Sequence, residues 1–140
     1  MISNSEEETK EIGKQIGKKL KKGDIVALYG DFGAGKTVLV KGIAKGTGCK
    51  EQVKSPSFVF MHEYNGKFPI YHIDLYRVNN LNDITALGIQ EFFGSNGVCI
   101  IEWAEKAKGL LPENSIRIEL KILNENTREI FVNRDRGSWS

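Results

Sequence analysis

Apolar and polar positions follow one another along this 140-residue chain with a period that changes from segment to segment, and each period marks a kind of element. Thr9, Ile12, Ile16 and Leu20 recur at near-helical spacing behind Ser5 and Glu8, which stand three apart as in a capping box. A helix is expected from there to about Leu20, ended by Lys21-Lys22-Gly23. Asp24 to Tyr29 (DIVALY) reads as a short buried strand, and Leu39, Val40, Ile43 and Ala44 return to helical spacing as far as Gly46 and Gly48. After a loop from Cys49 to Pro56, Phe58 to Tyr64 and Phe68 to Asp74 flank Asn65-Gly66, a strong hairpin signal, with Pro69 suited only to a strand start or an edge. Asn79 to Asp83 reads as loop and helix start, and Ile84, Leu87, Ile89, Phe92 and Phe93 as short helical pieces around Gly88. Gly97 to Ile101 (GVCII) is a second apolar strand, Ala104 to Lys108 one helical turn. Ile116, Ile118, Leu120 and Ile122 alternate with charged residues, as in a strand with one wet face, and Thr127 to Asn133 is its expected hairpin partner.

These elements predict an α/β fold: a single domain over residues 1–140 with a mixed, parallel plus antiparallel, central sheet flanked by helices, an antiparallel pair beside the strand at Asp24 to Tyr29, and a frayed tail over 134–140. Composition alters little. At 40% hydrophobic and 27% charged the chain resembles soluble domains, and a net charge of +2 is too small to announce nucleic acid. Lys14, Lys18, Lys19, Lys21 and Lys22 read as a solvated helix face. The polar start predicts no signal peptide, and no apolar run is long enough for a membrane. Cys49 and Cys99 form no metal or redox motif, so the expected setting is the reducing cytoplasm, with Cys99 in the core.

The chemistry is concentrated where the first strand gives way to the second helix. Gly30-Asp-Phe-Gly-Ala-Gly-Lys-Thr37 fits G-x-x-x-x-G-K-[ST], the P-loop, in the strand–loop–helix context that motif requires. Gly33 and Gly35 let the backbone bring its N–H groups to phosphate oxygens, and the helix N-terminus favours negative charge there. Lys36 would reach the β- and γ-phosphates of a nucleoside triphosphate, and the Thr37 hydroxyl would hold Mg²⁺. The expected nucleotide-binding set is Gly33, Ala34, Gly35, Lys36, Thr37 and Val38. The fold is therefore expected to be that of a P-loop NTPase.

A P-loop also needs a carboxylate at the end of a neighbouring strand to complete the metal shell. Asp74 and Glu102 each close an apolar strand, where ligands of open α/β sheets gather. Glu102 is assigned to the metal with Thr37, and Asp74 to a supporting place or to the attacking water; with Lys36 they form the catalytic set. The alternatives are that Asp74 is a turn residue before Leu75 and that Glu102 is a surface partner of Lys106. His72 alone reads as a hydrogen-bonded, half-buried residue rather than a catalytic base. Arg77 could contact phosphate or pair with Asp74, and His62 has no role. Ser55-Pro56-Ser57-Phe58 lies where P-loop switches carry a loop that senses the γ-phosphate, or is an ordinary loop.

Taken together, Ser5-Glu-Glu-Glu-Thr9, the P-loop, Ser55-Pro-Ser-Phe58, His72-Ile-Asp-Leu-Tyr-Arg77 and Ile101-Glu-Trp103 resemble, in order and spacing, the TsaE (YjeE) family, bacterial P-loop ATPases of tRNA threonylcarbamoyladenosine (t6A) modification. The resemblance runs from Ser5 to about Arg128. It implies a protein that binds ATP and Mg²⁺ and hydrolyses ATP slowly alone. It also implies a TsaB–TsaD heterodimer as partner, which does the carbamoyl transfer, with ATP turnover supporting repeated cycles and tRNA met only through the complex. By family pattern Thr37 and Glu102 bind Mg²⁺, Asp74 is needed for hydrolysis, and Glu6 to Thr9 and Arg128 lie near the nucleotide. Departures are small: Phe32 for Leu, Val38 where a second Thr is frequent, Ser57 for Thr and Ala104 for Pro. Two other readings share the P-loop: a small-molecule kinase, for which 140 residues leave little room for an acceptor site and lid, and a non-catalytic nucleotide-dependent binding switch.

Overall fold

The strands whose residues are apolar throughout sit at the centre of the sheet, and those that alternate sit toward its edges. The computed structural model describes residues 1–30, 33–50 and 60–133. Seven strands, β1 (Ile2–Ser3), β2 (Ile25–Tyr29), β3 (Met61–Asn65), β4 (Pro69–Asp74), β5 (Val98–Glu102), β6 (Ile116–Ile122) and β7 (Arg128–Asn133), form one sheet in the order β1-β7-β6-β2-β5-β4-β3. β6, β2, β5 and β4 are parallel, and β3, β7 and β1 are antiparallel additions. All five residues of β5 are buried, as a strand covered on both faces requires.

One face is covered by α1 (Glu6–Lys19) and α2 (Lys36–Gly46), whose Ile16, Leu39, Val40 and Ile43 pack on Val26, Leu28, Ile100, Ile116 and Ile118. The other is covered by α3 (Leu81–Ala86) and two 3₁₀ turns, Ile89–Phe92 and Ala104–Ala107, over Ile25, Ala27, Ile73, Cys99 and Ile101. α1 begins as the pattern predicts: the Ser5 hydroxyl accepts from Glu8 N–H, while the Glu8 carboxylate accepts from Asn4 N–H, one residue earlier than a capping box would have it. Glu6, Glu7 and Glu8 in its first turn and Lys18 and Lys19 in its last complement the helix dipole. Burial pushes the Cys99 thiol up to about 12, so it stays a neutral core group.

The fold differs from the expectation in three places. β1, which pairs Ile2 with Glu129, has no pattern of its own and was not expected. The β3–β4 hairpin does not stand beside β2: β5 lies between them, and β2 is flanked by β5 and β6. Asn65 is paired with Pro69 inside the ladder, so the turn is Gly66 to Phe68, and Gly66 is not in the left-handed region. Its glycine is needed for another reason: a Cβ there would lie 2.7 Å from Thr47 O, at the end of α2. Residues 51–59, including Ser55-Pro56-Ser57-Phe58 and the expected start of β3, and the tail 134–140 lie outside the described residues.

α1 and α2 meet backbone to backbone. Cβ atoms built at Gly13 and Gly17 would fall 2.4 and 2.2 Å from Leu39 O and Ile43 O, and at Gly42 and Gly46 2.1 and 2.2 Å from Lys10 O and Lys14 O. Replacing glycine by alanine inside a helix ordinarily gains about 1 kcal/mol. Here the extra methyl has no room, and Gly42→Ala is expected to cost about 1–3 kcal/mol instead. The sign, read from the urea midpoint by circular dichroism, decides: a raised midpoint would mean the two helices can part at no cost.

Candidate active site

The site is built at the carboxyl ends of the parallel strands. Register does most of the work: Leu28 on β2 lies beside Glu102 on β5, and Glu102 beside Asp74 on β4. Neighbours in register share a face, so both carboxylates project to the side that α2 occupies. α2 starts at the same edge. Its N-cap, Gly35, has φ 96°, and Gly33 has φ 80°, both in the left-handed region that glycine adopts freely. Gly35 has no side chain to accept from the first-turn N–H groups, and that turn holds no acidic residue, in contrast to α1. The end of α2 is thereby left for an anion from outside the helix.

A cavity of about 320 Å³ lies between these elements, within the range of ligand pockets, lined by Gly33, Gly35, Lys36, Thr37 and Val38 from the loop and helix, Asp74 and Glu102 from the strand ends, and Glu6, Tyr76 and Trp103. Ala34, the remaining expected contact, is 1% exposed and packs in the core, so only its backbone can serve a ligand. A larger groove of about 1070 Å³ crosses the open face of β6 and β7; it holds Arg117, Glu119 and Lys121 but no glycine-rich cradle.

Lys36 is buried, its Nζ donating to Gly30 O at 2.5 Å and standing 3.5 Å from the centre of the Trp103 ring. Trp103, directly after Glu102, has φ 58°, the one positive value outside glycine among the described residues. Its turned backbone swings the indole over the lysine. Arg128 reaches across from β7 and donates from Nη2 to Gly33 O at 3.2 Å.

Glu102 is 4% exposed and does not pair with Lys106, whose ammonium donates instead to Tyr76 O and Val78 O. Its partner is His72, with Nε2 2.5 Å from Oε2. His72 is fully buried rather than half-buried. Asp74 combines both of its sequence readings, since Oδ1 accepts from Tyr76 N–H at 2.9 Å as in a turn, while the residue lines the cavity. Burial raises the Asp74 carboxyl above its ordinary 3.8; the Tyr76 N–H opposes this, Glu102 adds to it, and His72 and Lys36 oppose it. Arg77 is exposed at the surface.

One hydroxyl, Thr37, and one carboxylate, Glu102, facing a common space fit the preference of Mg²⁺ for a few oxygen ligands with water and phosphate completing the shell. Among the described residues no cluster of three His, Cys, Asp or Glu side chains offers a protein-made metal cage. Tyr76, Trp103 and the buried His72 stand in the motifs quoted above, but none of them had a place in the site expected from the sequence. The available signals were spacing and adjacency: His72 is two before Asp74 on one strand and so shares its face, and Trp103 follows Glu102.

A glycine-rich loop between a central parallel strand and a helix, opening at the carboxyl edge of a mixed sheet, places the chain among the P-loop α/β domains. Residues 3–130 match the family model described as threonylcarbamoyl adenosine biosynthesis protein TsaE, and the chain belongs to that family. It is 40% identical to the tRNA threonylcarbamoyladenosine biosynthesis protein TsaE of Treponema pallidum, over 94% of this chain and 97% of that one. Against the protein of the same name from Bacillus subtilis it is 42% identical, over 89% and 78%. The crystal structure of Bacillus subtilis YdiB superposes with a TM-score of 0.82 at 36% identity, covering 96% of this chain and 83% of that one. Among the described residues no helix is long and apolar enough to cross a membrane.

The direction of the Asp74 shift carries a stability consequence. A carboxyl whose folded value lies above 3.8 binds its proton more tightly folded than unfolded, so it costs the fold nothing below 3.8 and a growing amount as pH rises past it. Asp74→Asn, which keeps the acceptor for Tyr76 N–H, is therefore expected to raise the melting temperature at neutral pH, with the gain vanishing as pH falls below 3.8. Melting curves from about pH 3, below the ordinary carboxyl range, to about pH 8 check this; a lower melting temperature at neutral pH would contradict it.

Proposed function

We propose that this chain is the ATP-binding and ATP-hydrolysing component of the machinery that makes t6A in tRNA. The observation that carries the reading is the convergence of Lys36, Thr37, Asp74 and Glu102 on the cavity at the start of α2. TsaE family membership supplies the biosynthetic setting, and the family's TsaB–TsaD pair is the expected partner, in the cytoplasm, with tRNA reached through that complex.

In this reading the N–H groups from Gly33 to Val38 cradle the phosphates at the dipole of α2. Lys36, whose Nζ lies on Gly30 O and over the Trp103 ring, turns to the β- and γ-phosphate oxygens, where its hydrogen bonds are charge-assisted. Thr37 and Glu102 would hold Mg²⁺, and the ion would supply positive charge beside the transferring phosphoryl group. Asp74 accepts a hydrogen bond from the attacking water and fixes its approach; its Tyr76 N–H bond holds the carboxylate in place. Arg128, on Gly33 O, braces the loop. Little bond-making is asked of the side chains, so rate rests on placement, and slow turnover by the isolated chain is expected.

The test is ATP turnover by the purified protein, alone and with a TsaB–TsaD pair from the same source. Turnover is expected to be slow alone and to rise with the pair. Lys36→Ala and Glu102→Ala should each cost about 100-fold or more, the scale of losing one group that stabilises transition-state charge. Brisk turnover without the pair, or no response to it, would count against the assignment.

A further inference from the structure

Beyond the residues that would touch nucleotide or cation, the site contains a group with no contact to either. We propose that His72 is a positioning residue for Glu102: its ring fixes one carboxylate oxygen so that the other faces the cation. The inference rests on the Mg²⁺·ATP reading of the cavity.

His72 is 0% exposed, its Nε2 lies 2.5 Å from Glu102 Oε2, and its Nδ1 is buried with no hydrogen-bond partner among the described residues. The tautomer that leaves no N–H orphaned carries its proton on Nε2, which then donates to Glu102. The imidazole does little else. In register it stands beside Ile100 and His62, with Ile70 two residues back on the same face, and the Tyr64 ring lies 6.0 Å away. An apolar side chain would fill that space without the cost of a buried, unpartnered Nδ1. The geometry also gives Glu102 what its strand neighbours cannot. Leu28 on one side offers no hydrogen bond and Asp74 on the other offers like charge, whereas His72 sits diagonally one step back on β4 and reaches Oε2. Because Glu102 also lines the cavity, Oε1 is the oxygen left to a cation. Outer partners of this kind set the orientation of a metal-binding carboxylate and are worth roughly 10–100-fold in metal affinity.

A residue that only fills space and one that aims a carboxylate are separated by an amide pair. In His72→Gln the amide nitrogen reaches about as far as Nε2 and can donate to Glu102; in His72→Asn it ends near Nδ1 and cannot. Both carry the same buried polar group. The readout is the affinity of a non-hydrolysable ATP analogue measured with Mn²⁺ and again with EDTA, together with the EPR spectrum of the bound Mn²⁺. We expect EDTA affinities like the wild type in both variants, and a gain from Mn²⁺ that falls about tenfold or more in His72→Asn and is largely kept in His72→Gln. The EPR line shape should change in Asn and be restored in Gln. Equal Mn²⁺ gains in the two variants, whether both kept or both lost, overturn the positioning role. A wild-type protein that binds the analogue no better with Mn²⁺ than with EDTA overturns the Mg²⁺·ATP reading itself, and the two failures are told apart by that first titration.

Discussion

The Glu102 carboxylate is held almost wholly out of water, and a charge in that position costs several kcal/mol unless hydrogen bonds and countercharge replace the solvent. The parallel register leaves few ways to supply them. Leu28 is beside it on one strand and Asp74 on the other, so help has to come from the diagonal, from above, or from a ligand. His72 supplies the diagonal, Lys36 lies near enough for its charge to act on Asp74, and the cavity supplies the rest. The raised Asp74 carboxyl follows from the same constraint, since it is buried next to a like charge. Two carboxylates crowded at one edge repel each other, and a cation bound between them would relieve that repulsion.

The opposing wall is made of positive ends. α2 presents its N-terminus without a side-chain cap, and the Lys36 ammonium lies on the Gly30 carbonyl oxygen and over the Trp103 ring. The positive-φ turn at Trp103 is what brings the indole there, and that strain sits beside the site rather than in the scaffold.

Local pattern was enough for every long element. Ser5 and Glu8 mark the start of α1, the apolar runs mark β2 and β5, and the alternation from Ile116 to Ile122 marks β6, because each depends on interactions within a few residues. The P-loop was legible for the same reason: its chemistry is carried by contiguous backbone. What could not be read was lateral order. Nothing in Phe68 to Asp74 says that β5 will insert between it and β2, and nothing in Ile2–Ser3 predicts pairing with β7, since both depend on partners distant in the chain. Asn65-Gly66 gave the hairpin but not its turn, because tertiary contact with Thr47, not left-handed backbone, is what requires glycine at 66. The His72–Glu102 pair was hidden likewise: strand ends located both Asp74 and Glu102, but only cross-strand register shows that a histidine 30 residues away reaches one of them.

The backbone contact between α1 and α2 has a mechanical meaning. Most packed helices are separated by a layer of side chains that can change rotamer and absorb small shifts. At Gly13, Gly17, Gly42 and Gly46 that cushion is absent. A displacement of α2 meets no such cushion against α1, whose first residue, Glu6, forms part of the cavity wall. The start of α2 and the start of α1, which line the cavity together, are in this sense two parts of one stiff body.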